Sequence, residues 1–209
     1  MREIKTAAIA LVALTLVLGL AYPLAMTGVG QVVFGNAADG SLVKRDGKVV
    51  GSKLIGQDFS RDTGRKDEEG EPILEADLNY FQSRPSATGY SASATFFNNL
   101  GPNQQDLADA LKANVKTYLD RERPTTPSLR AGTIPSDAVT TSASGVDPQI
   151  SEDNARIQAN RVARRRGLAL RRVLALVDDH TSHPLFGLGG DGVVNVLELN
   201  LALDEESSR

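Results

Sequence analysis

The chain lacks cysteine. Disulfides and thiolate metal sites are therefore excluded. Histidine is scarce, with two in 209 residues. Positive charge is not in excess either: 23 Lys and Arg stand against 26 Asp and Glu, a net of −3. That balance does not suggest nucleic acid as a partner. Three nucleotide and hydrolase signatures are missing. There is no GxxxxGKS/T phosphate loop, no GxGxxG after a strand, and no GxSxG nucleophile elbow.

Apolar sequence is concentrated at one end. Thr6 to Met26 reads TAAIALVALTLVLGLAYPLAM, with no charge. A helix of that length spans roughly 30 Å, one bilayer core. The run exceeds the roughly 7–15 apolar residues of a signal peptide core. The nearest small-x-small site, Gly19-Leu20-Ala21, lies inside it. A retained anchor is expected, with Pro23 near its end. Arg2 and Lys5 precede the run, and the next charge is Asp39. By the positive-inside rule, residues 1–5 are cytoplasmic, 6–26 span the membrane, and 27–209 lie outside. A single-pass membrane protein fits this pattern.

Beyond the anchor, Thr27 to Gln31 reads as a short flexible exit. Ser41 to Ile55 holds two β-branched runs around Asp46-Gly47, the preferred pair of a two-residue hairpin. Arg61 to Glu71, RDTGRKDEEGE, reads as a solvated loop. Its acids are adjacent and do not make an EF-hand frame. The Asp62-Thr63-Gly64 triplet, flanked by Arg61, Arg65 and Lys66, does not match an apolar aspartic-protease setting. Tyr80 to Tyr90 reads as a surface feature. Leu107, Leu111, Val115 and Tyr118 predict the buried stripe of a helix from Asn103, its cap, to Glu122.

Ser151 predicts an N-cap, with Glu152 and Asp153 at the positive end of the helix dipole. Arg164 to Arg166 suit the other end, and Gly167 the termination. The acids balance these arginines, against a DNA-binding helix pair. A second helix places Leu170, Val173, Leu174 and Val177 on one face. Val193 to Leu203 predicts a strand on odd-number parity, firm up to Glu198. The order of elements predicts one N-terminal transmembrane helix followed by a compact extracytoplasmic mixed α/β domain, its sheet mixed or antiparallel.

Two stretches invite chemistry. Asp178, Asp179, His180 and His183 could hold a metal in a tethered hydrolase. They also sit where a helix should end, and its dipole favours histidine there. The small-residue loop Ser142 to Ser151 could cradle a nucleotide phosphate at a helix N-terminus. Asp147, Glu152 and Asp153 oppose an anion there, so a cap or contact loop is the better expectation.

Several stretches together resemble the KdpC family, the C subunits of the bacterial Kdp high-affinity potassium-transporting P-type ATPase. They begin with the single span ending in Tyr22-Pro23 and with Gly51 to Gln57. Tyr80-Phe81-Gln82-Ser83-Arg84-Pro85-Ser86-Ala87 follows, then Asn99-Leu100-Gly101-Pro102-Asn103 and Ile134 to Thr140. Ser142-Ala143-Ser144-Gly145-Val146-Asp147-Pro148-Gln149-Ile150-Ser151 resembles the family's SGSGLDPHIS segment. Gln158 to Arg164 leads to Gly167-Leu168. Asn195 and the Asn200 to Asp204 stretch complete the pattern.

The resemblance implies a non-catalytic accessory subunit that assembles and stabilises a potassium uptake pump. Its implied partners are a channel-like potassium-binding subunit, the P-type ATPase subunit, a small membrane subunit and the lipid bilayer. The complex would use ATP, magnesium and potassium, with no cofactor held tightly by this chain. Contact or structural roles are implied for Gln57, Tyr80, Phe81, Arg84, Pro85, Ser86, Asn99, Gly101 and Pro102. They are implied equally for Ser142, Ser144, Gly145, Asp147, Pro148, Ser151, Gln158, Arg161, Asn195 and Asn200. The sequence departs from the family at Thr95-Phe96-Phe97-Asn98, where a glycine-serine run is usual. It departs again at Gln149, at Glu152 to Asn154, and in Arg61 to Asn79, which reads as an insertion.

Overall fold

In the computed structural model, residues 2 to 38 form an apolar helical rod in three segments, the last of them kinked at Phe34, whose backbone is not helical. Helix α1 is Arg2–Leu16, a π-helical turn is Val17–Ala21, and helix α2 is Tyr22–Ala38. The wider turn answers Pro23, which has no N–H and whose ring would press on the carbonyl four residues back. Within the turn, the Tyr22 N–H reaches back to the Val17 carbonyl. The rod's most apolar stretch has a mean hydropathy of 2.3, and none of it is buried in protein. The flexible exit expected at Thr27 to Gln31 is helical instead. Val29, Val32, Val33 and Phe34 continue the apolar surface there, outweighing a helix penalty of about 1 kcal/mol per glycine. The structure describes residues 1–91, 93, 99–183 and 190–207; the Phe96-Phe97 departure lies outside them.

Two compact units make up the chain, Met1–Ser52 and Lys53–Arg209. The first ends in the expected hairpin, β1 (Leu42–Arg45) with β2 (Lys48–Ser52). Asp46 and Gly47 both take positive φ, as its tight turn requires.

The second unit begins with a hairpin that the sequence reading missed. Strand β3 (Ser60–Lys66) pairs antiparallel with β4 (Pro72–Ala76). The supposed charged loop is thus mostly strand. The Asp67 carboxylate organises its turn by accepting from the Glu69 and Glu71 N–H groups. Most of the hairpin's residues are exposed, so no apolar alternation marks it.

Helix α3 is Gln105–Glu122. Its N-cap residue is Gln104 rather than Asn103, and it makes no side-chain cap. Instead Gln104 Oε1 accepts from the Gly101 N–H. Of the expected stripe only Tyr118 is buried; Leu107, Leu111 and Val115 are half-buried. Helix α4 is Glu152–Arg166, capped by Ser151 Oγ accepting from Asn154 N and ended by left-handed Gly167. Helix α5 is Leu170–Asp179.

Strands β5 (Gln149–Ser151), β6 (Thr181–Ser182) and β7 (Val193–Asn195) form an antiparallel sheet in the order β5-β7-β6. The long terminal strand is corrected here: after Asn195 the chain turns into helix α6, Val196–Ser207. Its buried residues include Val196, Leu199, Asn200 and Leu203, a helical spacing of three and four. The odd-number parity was incidental. The main core joins Ile150, Val194, Val162, Val173, Val177, Leu199 and Leu203 with Phe81. A second cluster holds Tyr118, Leu129, Ala138 and Val139.

Candidate functional site

Helix α4 buries polar side chains beside its apolar ones. Asn154, Gln158 and Arg161 share a face by helical spacing, and each is at most 2% exposed. Buried polar groups need partners, and these find them in an otherwise irregular segment. Gln158 Oε1 accepts from Gln82 N, and Gln158 Nε2 donates to Gln82 O. Asn200, from α6, does the same for Phe81: its Oδ1 accepts from Phe81 N at 2.9 Å and its Nδ2 donates to Phe81 O at 3.0 Å. Arg161 Nη1 donates to the Leu78 and Tyr80 carbonyls. Side chains therefore replace the neighbouring strand that residues 78–82 lack. The surface role expected of Phe81 is corrected by its burial, at 0% exposure.

A charge centre anchors this network. Arg161 Nε lies 3.0 and 3.1 Å from the two Glu122 oxygens. Arg121 Nε donates to the same carboxylate at 2.7 Å. Burial holds Arg161 below the usual arginine range, and the Glu122 charge opposes that. Tyr118 donates to Asn154 Oδ1, and burial, followed by the Glu122 charge, pushes its hydroxyl well above the usual range. Asp137 accepts from Ser151 N, Ser151 Oγ and Asn154 Nδ2.

A second cluster forms where four of the family-like stretches meet. Arg84 Nη1 donates to Asp147 at 2.9 Å, and its Nη2 to Thr140 Oγ1. Ser86 Oγ donates to the Gly145 carbonyl, while the Pro85 carbonyl accepts from Ser142 N. Gly56 N donates to Val146 O. A Cβ on Gly56 would sit 2.4 Å from the Asp147 carbonyl. The Gln57 carbonyl accepts from Ser83 Oγ. Burial, then the Asp58 charge, push Tyr90 up to about 12, with Arg121 opposing.

Asn195 donates to Lys53 O, and its Oδ1 accepts from Glu198 N. The Pro148 carbonyl accepts from Val196 N. Tyr80 lies 5.8 Å from the Phe59 ring and under the Arg166 guanidinium at 4.6 Å. Asn99, Gly101 and Pro102 lie in the separate turn before α3.

The two chemical alternatives fare differently from these clusters. His180 Nδ1 is 2.8 Å from the Leu176 carbonyl, at the C-cap of α5, and Asp178 pairs with Arg156. Among the described residues no group of three His, Asp or Glu side chains could hold a metal. In the Ser142 to Ser151 loop, the N–H groups of Gly145, Val146 and Gln149 bond Ser142 O, Ser144 Oγ and Asp147 Oδ1 in turn. The Asp137 carboxylate stands against Ser151 N, where a phosphate would bind. The loop caps and packs.

The profile of the family described as "KdpC: K+-transporting ATPase, c chain" matches residues 4–205. The chain belongs to the KdpC family. It is 43% identical to the "Potassium-transporting ATPase KdpC subunit" of Rhodopseudomonas palustris strain BisB18, over 98% of each chain. It is 42% identical to the subunit of that name in Mycobacterium tuberculosis strain H37Rv, over 97% of this chain and 98% of the relative.

Sequence reasoning missed Glu122, Asp137 and Asn154. The signal for Asn154 was present, since Asn154, Gln158 and Arg161 recur at helical spacing on the face of Ala155 and Val162. Glu122 gave none, as a charged residue at a helix end ordinarily faces water.

Proposed function

We propose that this chain is the C subunit of a potassium-transporting ATPase, acting as a non-catalytic accessory that assembles and stabilises the pump. The observation that carries this reading is the family match across residues 4–205, which takes in both the apolar rod and the folded unit. The internal bonding of the family-like loops supports it: they hold a fold together and shape a surface. The rod, unburied over its length, is suited to lipid and partner helices. Arg2 and Lys5 argue for a cytoplasmic amino terminus and an extracytoplasmic domain. The partners would be the channel-like potassium-binding subunit, the P-type ATPase subunit and the small membrane subunit. ATP, magnesium and potassium would be used by that complex.

The test is recovery of the tagged full-length chain from gently solubilised native membranes of cells grown at low potassium. Co-recovery of a P-type ATPase and a channel-like partner is expected. Recovery of the chain alone, from cells shown to express both partners, would overturn the proposal.

A further inference from the structure

A polar cleft of about 300 Å³ opens beside α3 in the second unit. Asp58, Ser60, Tyr90, Thr117, Tyr118 and Arg121 help to line it. Most of its polar groups are committed to the protein. The Tyr90 hydroxyl donates to Arg84 O at 2.5 Å, the Tyr118 hydroxyl to Asn154, and the Asn114 amide to Val139 O.

Arg121 is different. Its guanidinium lies over the Tyr118 ring at 5.3 Å, and its Nε donates to Glu122. Among the described residues, its two terminal nitrogens have no acceptor. Its side chain is 17% exposed, so water reaches only part of it. Glu122 is already shared with Arg161. Two guanidinium groups thus meet one carboxylate, and the other charged residue on the cleft lining, Asp58, is exposed to water. An uncompensated, poorly hydrated charge is costly, and a nearby anion would offset it. The charge of Arg121 also helps to lower Arg161 from its ordinary range.

We propose that this cleft is a binding site for a carboxylate group, gripped by the terminal nitrogens of Arg121 with the Thr117 and Ser60 hydroxyls beside it. A planar guanidinium fork matches a carboxylate in bidentate geometry. The volume limits the ligand to roughly ten non-hydrogen atoms, at about 30 Å³ for each water-sized group. Asp58, exposed on the lining, opposes a second negative charge. The ligand is therefore a small monocarboxylate, or the side chain of an Asp or Glu supplied by another protein. This inference does not depend on the pump assignment.

The test uses the full-length chain in detergent micelles, with the ¹⁵N side-chain signals of arginine as readout and propionate as probe. The Arg121 signal should shift saturably with propionate and not with chloride at equal ionic strength. Thr117→Glu places a carboxylate one helical turn before Arg121, at the favourable i, i+4 spacing. It leaves the Glu122–Arg161 pair untouched. It should shift the Arg121 signal permanently and weaken the propionate response at least tenfold. The source of the carboxylate is read separately, by carbodiimide treatment of an Arg121→Lys chain in native membranes. A cross-linked protein product identifies an Asp or Glu side chain; a propionate response without such a product identifies a free small molecule. An Arg121 signal that neither propionate nor Thr117→Glu moves would overturn the proposal.

Discussion

Gly56 occupies a position that admits no side chain. Its Cβ would fall 2.4 Å from the Asp147 carbonyl, a backbone atom that cannot swing aside. Gly56→Ala must displace the 140–147 loop, and a loss of about 1–3 kcal/mol is expected, as for other overpacked sites. Gly132 has nothing within 4 Å of its Cβ position, so Gly132→Ala should change stability by less than about 0.5 kcal/mol. Urea midpoints of the two variants, side by side, separate close approach from a general glycine effect. Tyr90 gives a second residue-scale expectation. Its folded pKa of about 12 exceeds the ordinary value of 10.0, so the unfolded chain loses the proton first. Its contribution is complete below pH 10 and is lost as pH rises through about 12. Urea midpoints should fall steeply between those values, and Tyr90→Phe should flatten part of that fall. Tyr118, also raised, accounts for some of the remainder.

At the scale of elements, the turn from β7 into α6 rests on one side chain. Asn195 Oδ1 accepts from Glu198 N at 3.1 Å, the geometry of an N-cap, and its amide ties back to Lys53 O at 2.8 Å. Asn195→Ala should cost about 1 kcal/mol or somewhat more, and Asn195→Asp less, because the acceptor and a favourable charge at the helix start remain. Thermal melts of the pair check the order. The same asparagine explains why this stretch was misread. VVNVLELNLAL satisfies a two-residue period on its leucines, but Val196, Leu199, Asn200 and Leu203 satisfy the helical one, and the cap decides between them.

Helix α4 was legible because Ser151 and Gly167 mark both of its ends. The β1–β2 hairpin was legible from Asp46-Gly47, a pair that suits both positive φ values and stands between two β-branched runs. The β3–β4 hairpin was not, since strands wet on both faces leave no alternation to read. The candidate site was legible as a set of residues but not as a set of contacts. Asn200 meets Phe81 across 119 positions and Arg161 meets Glu122 across 39, and spacing within one element carries no information about either.

For the whole molecule, the division at Ser52 has an energetic meaning. Both core clusters draw every residue from Lys53–Arg209, and Phe59 is the earliest residue packed against either. The first unit's helices bury no residue at all. Hydrophobic burial dominates folding stability, so the second unit holds within itself the apolar contacts that its fold requires. A chain that starts at Lys53 should therefore unfold cooperatively, with a melting temperature within a few degrees of that of the full chain in mild detergent. Urea unfolding followed by circular dichroism and by tyrosine fluorescence gives the check, and coincident transitions are expected. Loss of cooperativity in the shortened chain would show that the first unit supplies stability its unburied surface does not reveal. Coincident transitions would leave the apolar rod with one physical task, presenting its surface to lipid or to other helices. Membrane attachment and the carboxylate cleft could then be perturbed independently, because Thr117 and Arg121 lie wholly within the unit that folds without the rod.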